Sequence, residues 1–199
     1  TIIFATKNKG KIKEINAILA DMDVNVISME DAGITIDVVE DGTTFEENSM
    51  KKAVQIMEVS GKITLADDSG LEIDAMDKAP GVYSARFMGE DTPYSERFKA
   101  IFEKLEGVPE EKRTARFVSC IAAAFPDGRR LTSLDTVEGI IGYEVKGENG
   151  FGYDPIFYVP EKGRYMAELS AEEKNADSPN KITKITNCMA SLGPKINSL

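Results

Sequence analysis

The 199-residue sequence contains no histidine, no tryptophan and only two cysteines. Without histidine, Ser-His-Asp and Cys-His nucleophilic systems and imidazole-based zinc sites are excluded. Acid–base chemistry must then come from Asp, Glu, Lys or Tyr. A catalytic metal would be a hard cation on carboxylate oxygens, Mg²⁺ or Mn²⁺. Cys120 and Cys188 have unrelated surroundings, which favours a reduced, cytoplasmic location over a disulfide framework.

The sequence also lacks a basic excess and long apolar runs. Its net charge of -10 argues against binding to long nucleic acids. A small anionic ligand needs only a local basic pocket, so it remains compatible with this charge. Apolar runs such as Ile121–Phe125 are too short to span a bilayer, and Thr1–Ala5 lacks the basic start of a signal peptide, so we expect neither. The length fits one domain over residues 1–199.

Helices and strands alternate in the first half of the chain, and a hairpin follows. The predicted strands are 2–6, 24–28, 63–66, 116–125 and 131–145, and the predicted helices are 10–20, 44–60 and 92–106. The helix at 44–60 begins with a Thr44–Glu47 capping box, and Thr92 and Pro93 are expected at the N-cap and first position of the third helix. This order predicts an α/β fold with a mixed sheet.

The segment Thr6–Lys11 is the first candidate for binding an anion. Its residues Thr6, Asn8, Lys9, Gly10 and Lys11 lie between a predicted strand and a predicted helix start, where backbone N–H groups bind phosphate. The spacing differs from that of a Walker A loop. A solvated lysine-rich loop explains this segment equally well when it is taken alone.

Acidic residues form a second group. Asp67-Asp68-Ser69-Gly70 is expected to follow a strand as an acidic loop that holds a metal and orients a water, although an acidic turn is the simpler interpretation of this segment alone. Glu40 precedes the helix at 44–60 and has no evident structural role, so it is a candidate metal ligand. Lys52 in that helix would reach phosphate, with a solvated helix face as the alternative.

A glycine-rich aromatic segment, residues 147–155, is the third candidate. Its glycines, including Gly152, permit close approach of a ligand. Phe151 and Tyr153 offer faces for stacking a base, and Asp154 would accept from a ring N–H. The alternative is a loop whose aromatic rings fill the core. Lys174 follows a second capping box, Ser170–Glu173, and would donate to a carbonyl oxygen of a base.

In this order and spacing, the segments resemble the inosine triphosphate pyrophosphatase family. The resemblance runs from residue 2 to about residue 175. It is carried by Phe4-Ala5-Thr6-Lys7-Asn8, Gly42-Thr43-Thr44-Phe45-Glu46-Glu47-Asn48, Ala66-Asp67-Asp68-Ser69-Gly70-Leu71, Ala79-Pro80-Gly81-Val82-Tyr83-Ser84-Ala85-Arg86, Arg116-Phe117, Gly150-Phe151-Gly152-Tyr153-Asp154-Pro155-Ile156-Phe157 and Glu172-Glu173-Lys174-Asn175.

The resemblance implies an elongated mixed sheet with flanking helices, two lobes around a nucleotide cleft, and a homodimer. It implies Mg²⁺-dependent hydrolysis of non-standard purine nucleoside triphosphates, such as ITP, dITP and XTP, to the monophosphate and pyrophosphate. The implied roles are phosphate contacts for Thr6, Asn8, Lys11 and Lys52, metal binding for Glu40 and Asp68, proton acceptance for Asp68, nucleotide contact for Ser69, and a base pocket of Phe151, Gly152, Tyr153 and Asp154 with Lys174 on the purine 6-oxygen.

The sequence departs from the family pattern after Asn175. The family continues with Ser-His-Arg-Gly, two members of which grip the base, whereas this chain has Ser178, Pro179, Asn180 and Lys181. Natural divergence and an altered reading frame both account for the tail from residue 176. We therefore expect hydrolysis with weakened base discrimination.

Three alternatives remain open from the sequence. A related pyrophosphatase would act on other modified nucleotides. A sensor would bind a nucleotide without cleaving it, although Glu40 and the Asp67-Asp68 pair argue against a role limited to binding. A scaffold without chemistry would require all of these segments to coincide by chance.

Overall fold

The computed structural model describes residues 1–6, 12, 15–16, 24–170 and 172–174. Within them, seven strands form one sheet in the order β2-β1-β3-β4-β5-β6-β7. The strands are β1 (Ile2–Phe4), β2 (Val26–Ser28), β3 (Thr64–Ile73), β4 (Thr114–Ala124), β5 (Arg130–Ile141), β6 (Phe157–Val159) and β7 (Arg164–Tyr165), and the helices are α1 (Phe45–Ser60) and α2 (Tyr94–Lys104). β1 pairs in parallel with β2 and β3, whereas β6 pairs antiparallel with β5 and β7. The predicted α/β fold with a mixed sheet is confirmed.

Two compact units are present in the described chain. One contains residues from 1–68 and 119–135, and the other contains residues 69–118 and 136–174. The long strands β3, β4 and β5 each contribute residues to both units. No helix within the described residues is long and apolar enough to cross a membrane.

The first unit is built on the parallel strands β1 and β3. Ile2, Ile3 and Phe4 are all almost fully buried, as expected for a parallel strand covered on both faces. Successive side chains point to opposite faces, so Ile2 and Phe4 join one apolar cluster and Ile3 joins another. Ile56 of α1 packs in the second cluster, which places this helix against the sheet.

Local signals in the sequence determine where α1 begins and ends. The Thr44 hydroxyl accepts from the Glu47 N–H at 3.1 Å, and the Glu47 carboxylate accepts from the Thr44 N–H at 3.2 Å. The predicted capping box is therefore confirmed. Gly61 ends the helix with a φ of 64°, a conformation that favours glycine.

The prediction that the third strand ends at Ala66 and runs into an acidic loop is wrong. β3 continues to Ile73, so Asp67, Asp68 and Ser69 are strand residues. The physical reason is the alternation beyond Gly70, where Leu71 and Ile73 are both fully buried in the core of the second unit.

The second unit differs from prediction at several element ends. Pro93, with a ψ of 146°, is the N-cap of α2, and Thr92 instead donates its hydroxyl hydrogen to the Met88 carbonyl. β5 ends at Ile141 rather than at residue 145. At this end, the Arg113 guanidinium donates hydrogen bonds to the carbonyls of Ile141 and Gly142, at 2.8 and 2.6 Å.

The hairpin at residues 126–128 was predicted correctly. Phe125 N–H donates to the Arg129 carbonyl at 3.1 Å, and Gly128 adopts a φ of 93°. The Asp127 carboxylate accepts from the Arg129 N–H at 3.0 Å, a typical turn interaction for aspartate. The Ser170–Glu173 capping box is also present. β6 and β7, which are three and two residues long, were not predicted.

Candidate functional site

Lys52 is the centre of a polar cluster in the first unit. Its ammonium Nζ lies 2.5 Å from Oε1 of Glu40 and donates to the backbone carbonyl of Asp67 at 2.9 Å. The side chain is only 17% exposed, and it leaves α1 on the side that approaches β3. Lys52 thus joins the segment before α1 to the backbone of the acidic pair in β3. Both segments were candidates from the sequence.

The segment that carries Glu40 is held by Asn48 in the first turn of α1. Asn48 is fully buried, and its Oδ1 accepts from the Gly42 N–H at 2.8 Å. A side chain at position 42 would collide with Asn48 Oδ1 and with Glu47, so glycine is required at this close approach. The side chain of Asn48 therefore fixes the backbone two residues beyond Glu40.

Parallel pairing of β1 with β3 places Thr6 and Asp67 at the same level, just past the end of β1. Phe4 is the partner of Leu65, and the Ala5 N–H donates to the Leu65 carbonyl at 2.8 Å. Thr6 and Asp67 each lie two residues beyond this pair. Ligands of open α/β sheets bind outside the carboxyl ends of parallel strands, and Thr6 lies just beyond that end of β1, whereas Asp67 lies within β3 at the point where its parallel partner β1 has ended. The other predicted phosphate-binding residues, Asn8, Lys9, Gly10 and Lys11, lie outside the described residues.

The second unit joins Lys174 to the glycine-rich segment. Lys174 Nζ lies 2.8 Å from Oδ2 of Asp154 and donates to the Asn149 carbonyl at 3.4 Å. The same Oδ2 accepts from the Phe151 N–H at 3.3 Å. Gly150 adopts a φ of 101°, and any side chain there would collide with Asp154 and Lys174. Two residues predicted from separate segments are therefore in direct contact.

The two aromatic rings of this segment have different environments. Phe151 is 76% exposed, whereas Tyr153 is 3% exposed and belongs to the apolar core. The Tyr153 ring packs edge-on against Tyr94, with 5.2 Å between ring centroids. Burial raises the pKa of Tyr153 to about 12. Of these two rings, only Phe151 presents a face to solvent. Tyr153 fills the core, which is what the alternative interpretation of this segment predicted.

Comparisons with known proteins identify the family of the chain. The model of the Ham1 family matches residues 2–182. The chain belongs to the Ham1 family.

Relatives and solved structures extend the match over most of the chain. A dITP/XTP pyrophosphatase of Desulforamulus reducens is 49% identical over 177 residues, covering 89% of this chain and 88% of that protein. A dITP/XTP pyrophosphatase of Geobacter sulfurreducens is 48% identical over 177 residues, covering 89% of each. The structure of the Staphylococcus aureus Ham1 protein matches with a TM-score of 0.89 at 38% identity, covering 98% of both chains. The family resemblance predicted from the sequence is confirmed.

The donor atoms of the first unit suit a hard cation. Within the described residues of this Ham1 chain, no group of three or more His, Cys, Asp or Glu residues is arranged to hold a metal ion. Mg²⁺ needs no such group, because it keeps several waters and binds one or two carboxylates together with substrate phosphates. The candidate donors are the carboxylates of Glu40, which lies 2.5 Å from the Lys52 ammonium, and of Asp68, which follows the residue whose carbonyl accepts from Lys52.

Arg97 and Ser84 contribute to the second unit of this Ham1 chain but were not identified from the sequence as site residues. Arg97 is 2% exposed, and its guanidinium donates to the Ser84 carbonyl, as does the Tyr153 hydroxyl. A signal was available, since Arg97 lies on the same helical face as Tyr94 and Ile101 and so at a core position. Asn48 was quoted only within a family motif, without a role of its own.

Proposed function

We propose that this chain is a metal-dependent pyrophosphatase that hydrolyses non-standard purine nucleoside triphosphates, such as dITP, ITP and XTP, to the monophosphate and pyrophosphate. Membership of the Ham1 family supports the activity, as do relatives named dITP/XTP pyrophosphatase at 48–49% identity. The observation that carries the proposal is the Lys52 ammonium, held between Glu40 and the backbone next to Asp68. It places a positive charge against the Glu40 carboxylate and at the strand backbone that carries Asp67 and Asp68.

The first unit would handle the triphosphate. Lys52 neutralises phosphate charge, and Thr6, with the Asn8–Lys11 segment, supplies further donors at the start of a predicted helix. Asp68 would accept the proton of the attacking water as general base, the role that the family resemblance implies, and a carboxylate is one of the side chains left for that role in a chain without histidine. Mg²⁺ held by Glu40 and Asp68 would neutralise the charge that develops on the phosphate oxygens.

The second unit would recognise the purine. A lysine ammonium has three N–H donors. With Asp154 and the Asn149 carbonyl as two partners, Lys174 has a third donor for the 6-oxygen of hypoxanthine or xanthine. Adenine presents an amino donor at that position, which would leave two donors facing each other, and such a mismatch is strongly rejected. Phe151 provides an exposed ring for stacking, and Ser69 would contact the nucleotide.

The experiment is pyrophosphate release from ITP, XTP, GTP and ATP with Mg²⁺, comparing the unmodified chain with Asp68→Asn. We expect release from ITP and XTP, and at least about a 100-fold loss in Asp68→Asn, since a general base contributes about 10²–10⁴-fold. Asp127→Asn is the matched control, because it makes the same change on the exposed hairpin turn. Activity that survives in Asp68→Asn would refute the assigned base.

Substrate binding without release in the unmodified chain would favour a nucleotide sensor instead. Release without preference among the four bases would place selectivity at the positions of Pro179 and Asn180, which lie outside the described residues. A homodimer is also part of the proposal, carried by the family resemblance, and sedimentation equilibrium measures it directly. The cytoplasmic location remains a prediction from cysteine content.

A further inference from the structure

Arg97 is a buried cation whose partners are backbone carbonyls. Nη1 donates to the carbonyls of Ser84 and Ala85, both at 3.0 Å. Nη2 donates to the carbonyls of Gly89 and Glu90, at 2.9 and 3.3 Å. Burying a guanidinium costs free energy unless its donors are used, and here one side chain ties both ends of the segment 84–90 to α2.

Ser84 is the point where this segment meets two other parts of the second unit. Its hydroxyl accepts from the Leu71 N–H of β3 at 2.8 Å and donates to the Gly81 carbonyl at 2.6 Å. Its carbonyl accepts from Arg97 at 3.0 Å and from the Tyr153 hydroxyl at 2.9 Å. The position of Tyr153 is therefore defined by an oxygen that Arg97 and β3 hold in place.

Tyr153 transmits this constraint to the proposed purine-binding residues. It directly precedes Asp154, whose carboxylate holds Lys174. Its ring contacts Tyr94 and Phe98, which lie on the same helix as Arg97, at centroid distances of 5.2 and 6.3 Å. The helix α2 thus fixes both the ring and the hydroxyl of the residue before Asp154.

We propose that Arg97 and Ser84 are positioning residues that act through the Tyr153 hydroxyl to set the orientation of Asp154 and Lys174, and thereby the selectivity for 6-oxo purines. This inference rests on the proposed function. Under this inference, Arg97 and Ser84 contact neither the substrate nor the metal, but they determine how selectively the purine is recognised. Because the hydroxyl contributes through one hydrogen bond, its removal should weaken purine binding by a measurable and limited amount.

The test is Tyr153→Phe, which removes the hydroxyl and keeps the ring. We expect KM for ITP to rise about threefold to tenfold, the range of one hydrogen bond. We expect kcat to stay within about twofold, because the phosphate and metal residues are unchanged. The ratio of kcat/KM for ITP over ATP should fall. Arg97→Lys, which keeps the charge but cannot bridge four carbonyls, should change the same quantities in the same direction.

The matched control is Tyr165→Phe, which removes another buried tyrosine hydroxyl that accepts from the Tyr143 N–H at 3.3 Å. It should leave KM and the base ratio unchanged. A Tyr153→Phe protein with unchanged KM and base ratio would overturn the inference, even if its thermal midpoint falls.

Hydrogen exchange separates this inference from the proposed function. Tyr153→Phe should speed exchange of the amides at residues 150–154 relative to Tyr165→Phe, whether or not the unmodified chain releases pyrophosphate. Unchanged exchange in those amides would overturn the positioning role. Failure of the unmodified chain to hydrolyse any purine triphosphate would instead refute the proposed function.

Discussion

Two adjacent lysines on α1 show how strongly the environment of a residue determines its role. Lys51 pairs with Asp41 at the surface, where Asp41 is 66% exposed. Lys52 is mostly buried and contacts Glu40 and the Asp67 carbonyl. A surface pair contributes little because water screens it, whereas an ammonium held in place beside a reacting phosphate acts without reorganisation.

The pair offers a matched comparison. We expect Lys52→Met to lower kcat/KM for ITP about 100-fold or more, the loss found when one preorganised charge-stabilising group is removed. Lys51→Met makes the same change of charge one residue away and should stay within about threefold of the unmodified chain. Steady-state pyrophosphate release measures both. Equal losses in the two variants would show that only the overall charge of the helix matters.

Among the secondary-structure elements, those with side-chain caps or local turn signals were predictable. Thr44 and Glu47 specify the start of α1, and Asp127 and Gly128 specify the hairpin, because each makes its own local hydrogen bond or backbone conformation. The end of β5 was not predictable. It depends on Arg113, which is distant in sequence from Ile141.

The candidate site likewise contains residues that the sequence identified and contacts that only the structure shows. Glu40 stood out as an acid without an evident structural role. Lys52 and Asp68 each had a structural interpretation as well, a solvated helix face and an acidic turn, and the family resemblance was needed to assign them a role. The direct contact of Asp154 with Lys174 required the fold, since twenty residues separate them in the sequence. The sequence did not decide the role of Tyr153, because an aromatic ring close to glycines is compatible with stacking on a ligand and with packing in the core. Its burial in the structure shows that it packs in the core.

The capping box of α1 gives a prediction for this element. Thr44→Ala should lower the free energy of unfolding by about 1 kcal/mol, and Thr44→Ser, which keeps the hydroxyl, should retain most of the stability. Urea unfolding at about pH 7 measures both, with the linear extrapolation usual for small domains. A full loss in the serine variant would show that the methyl group, and not the hydroxyl, stabilises the start of the helix.

The contribution of the α1 capping box to stability should depend on pH through Glu47. The Thr43 N–H, at 2.7 Å, lowers the pKa of Glu47, with further hydrogen bonds from the Thr43 hydroxyl and the Thr44 N–H. A lowered pKa in the folded state gives stability that is present above the unfolded pKa and is lost as pH falls through the folded pKa. The stability difference between the unmodified chain and Glu47→Gln should therefore shrink between about pH 6 and about pH 3.

At the scale of the whole molecule, charge is the main constraint on the proposed reaction. The chain carries 34 acidic and 24 basic residues, and in the proposed reaction a polyanionic triphosphate would bind near Asp67 and Asp68 of β3. Lys52, even together with Lys9 and Lys11 of the predicted phosphate-binding segment, carries less positive charge than the triphosphate and these carboxylates carry negative charge. A divalent cation shared by the carboxylates and the phosphates would supply the missing positive charge, so substrate binding and metal binding should depend on each other.

That coupling is measurable as a change in thermal stability. A ligand at about 100 times its Kd stabilises the folded state by about 2.7 kcal/mol, or about 5–10 °C for a chain of this size. We expect such a shift from a non-hydrolysable ITP analogue with Mg²⁺, and a much smaller one from the analogue with EDTA or from Mg²⁺ alone. Glu40→Gln should lose the Mg²⁺-dependent part of the shift, whereas Glu58→Gln, at the exposed end of α1, should keep it. An equal shift in EDTA would mean that the analogue binds without the metal, and the roles of Glu40 and Asp68 as metal ligands would then have to be abandoned.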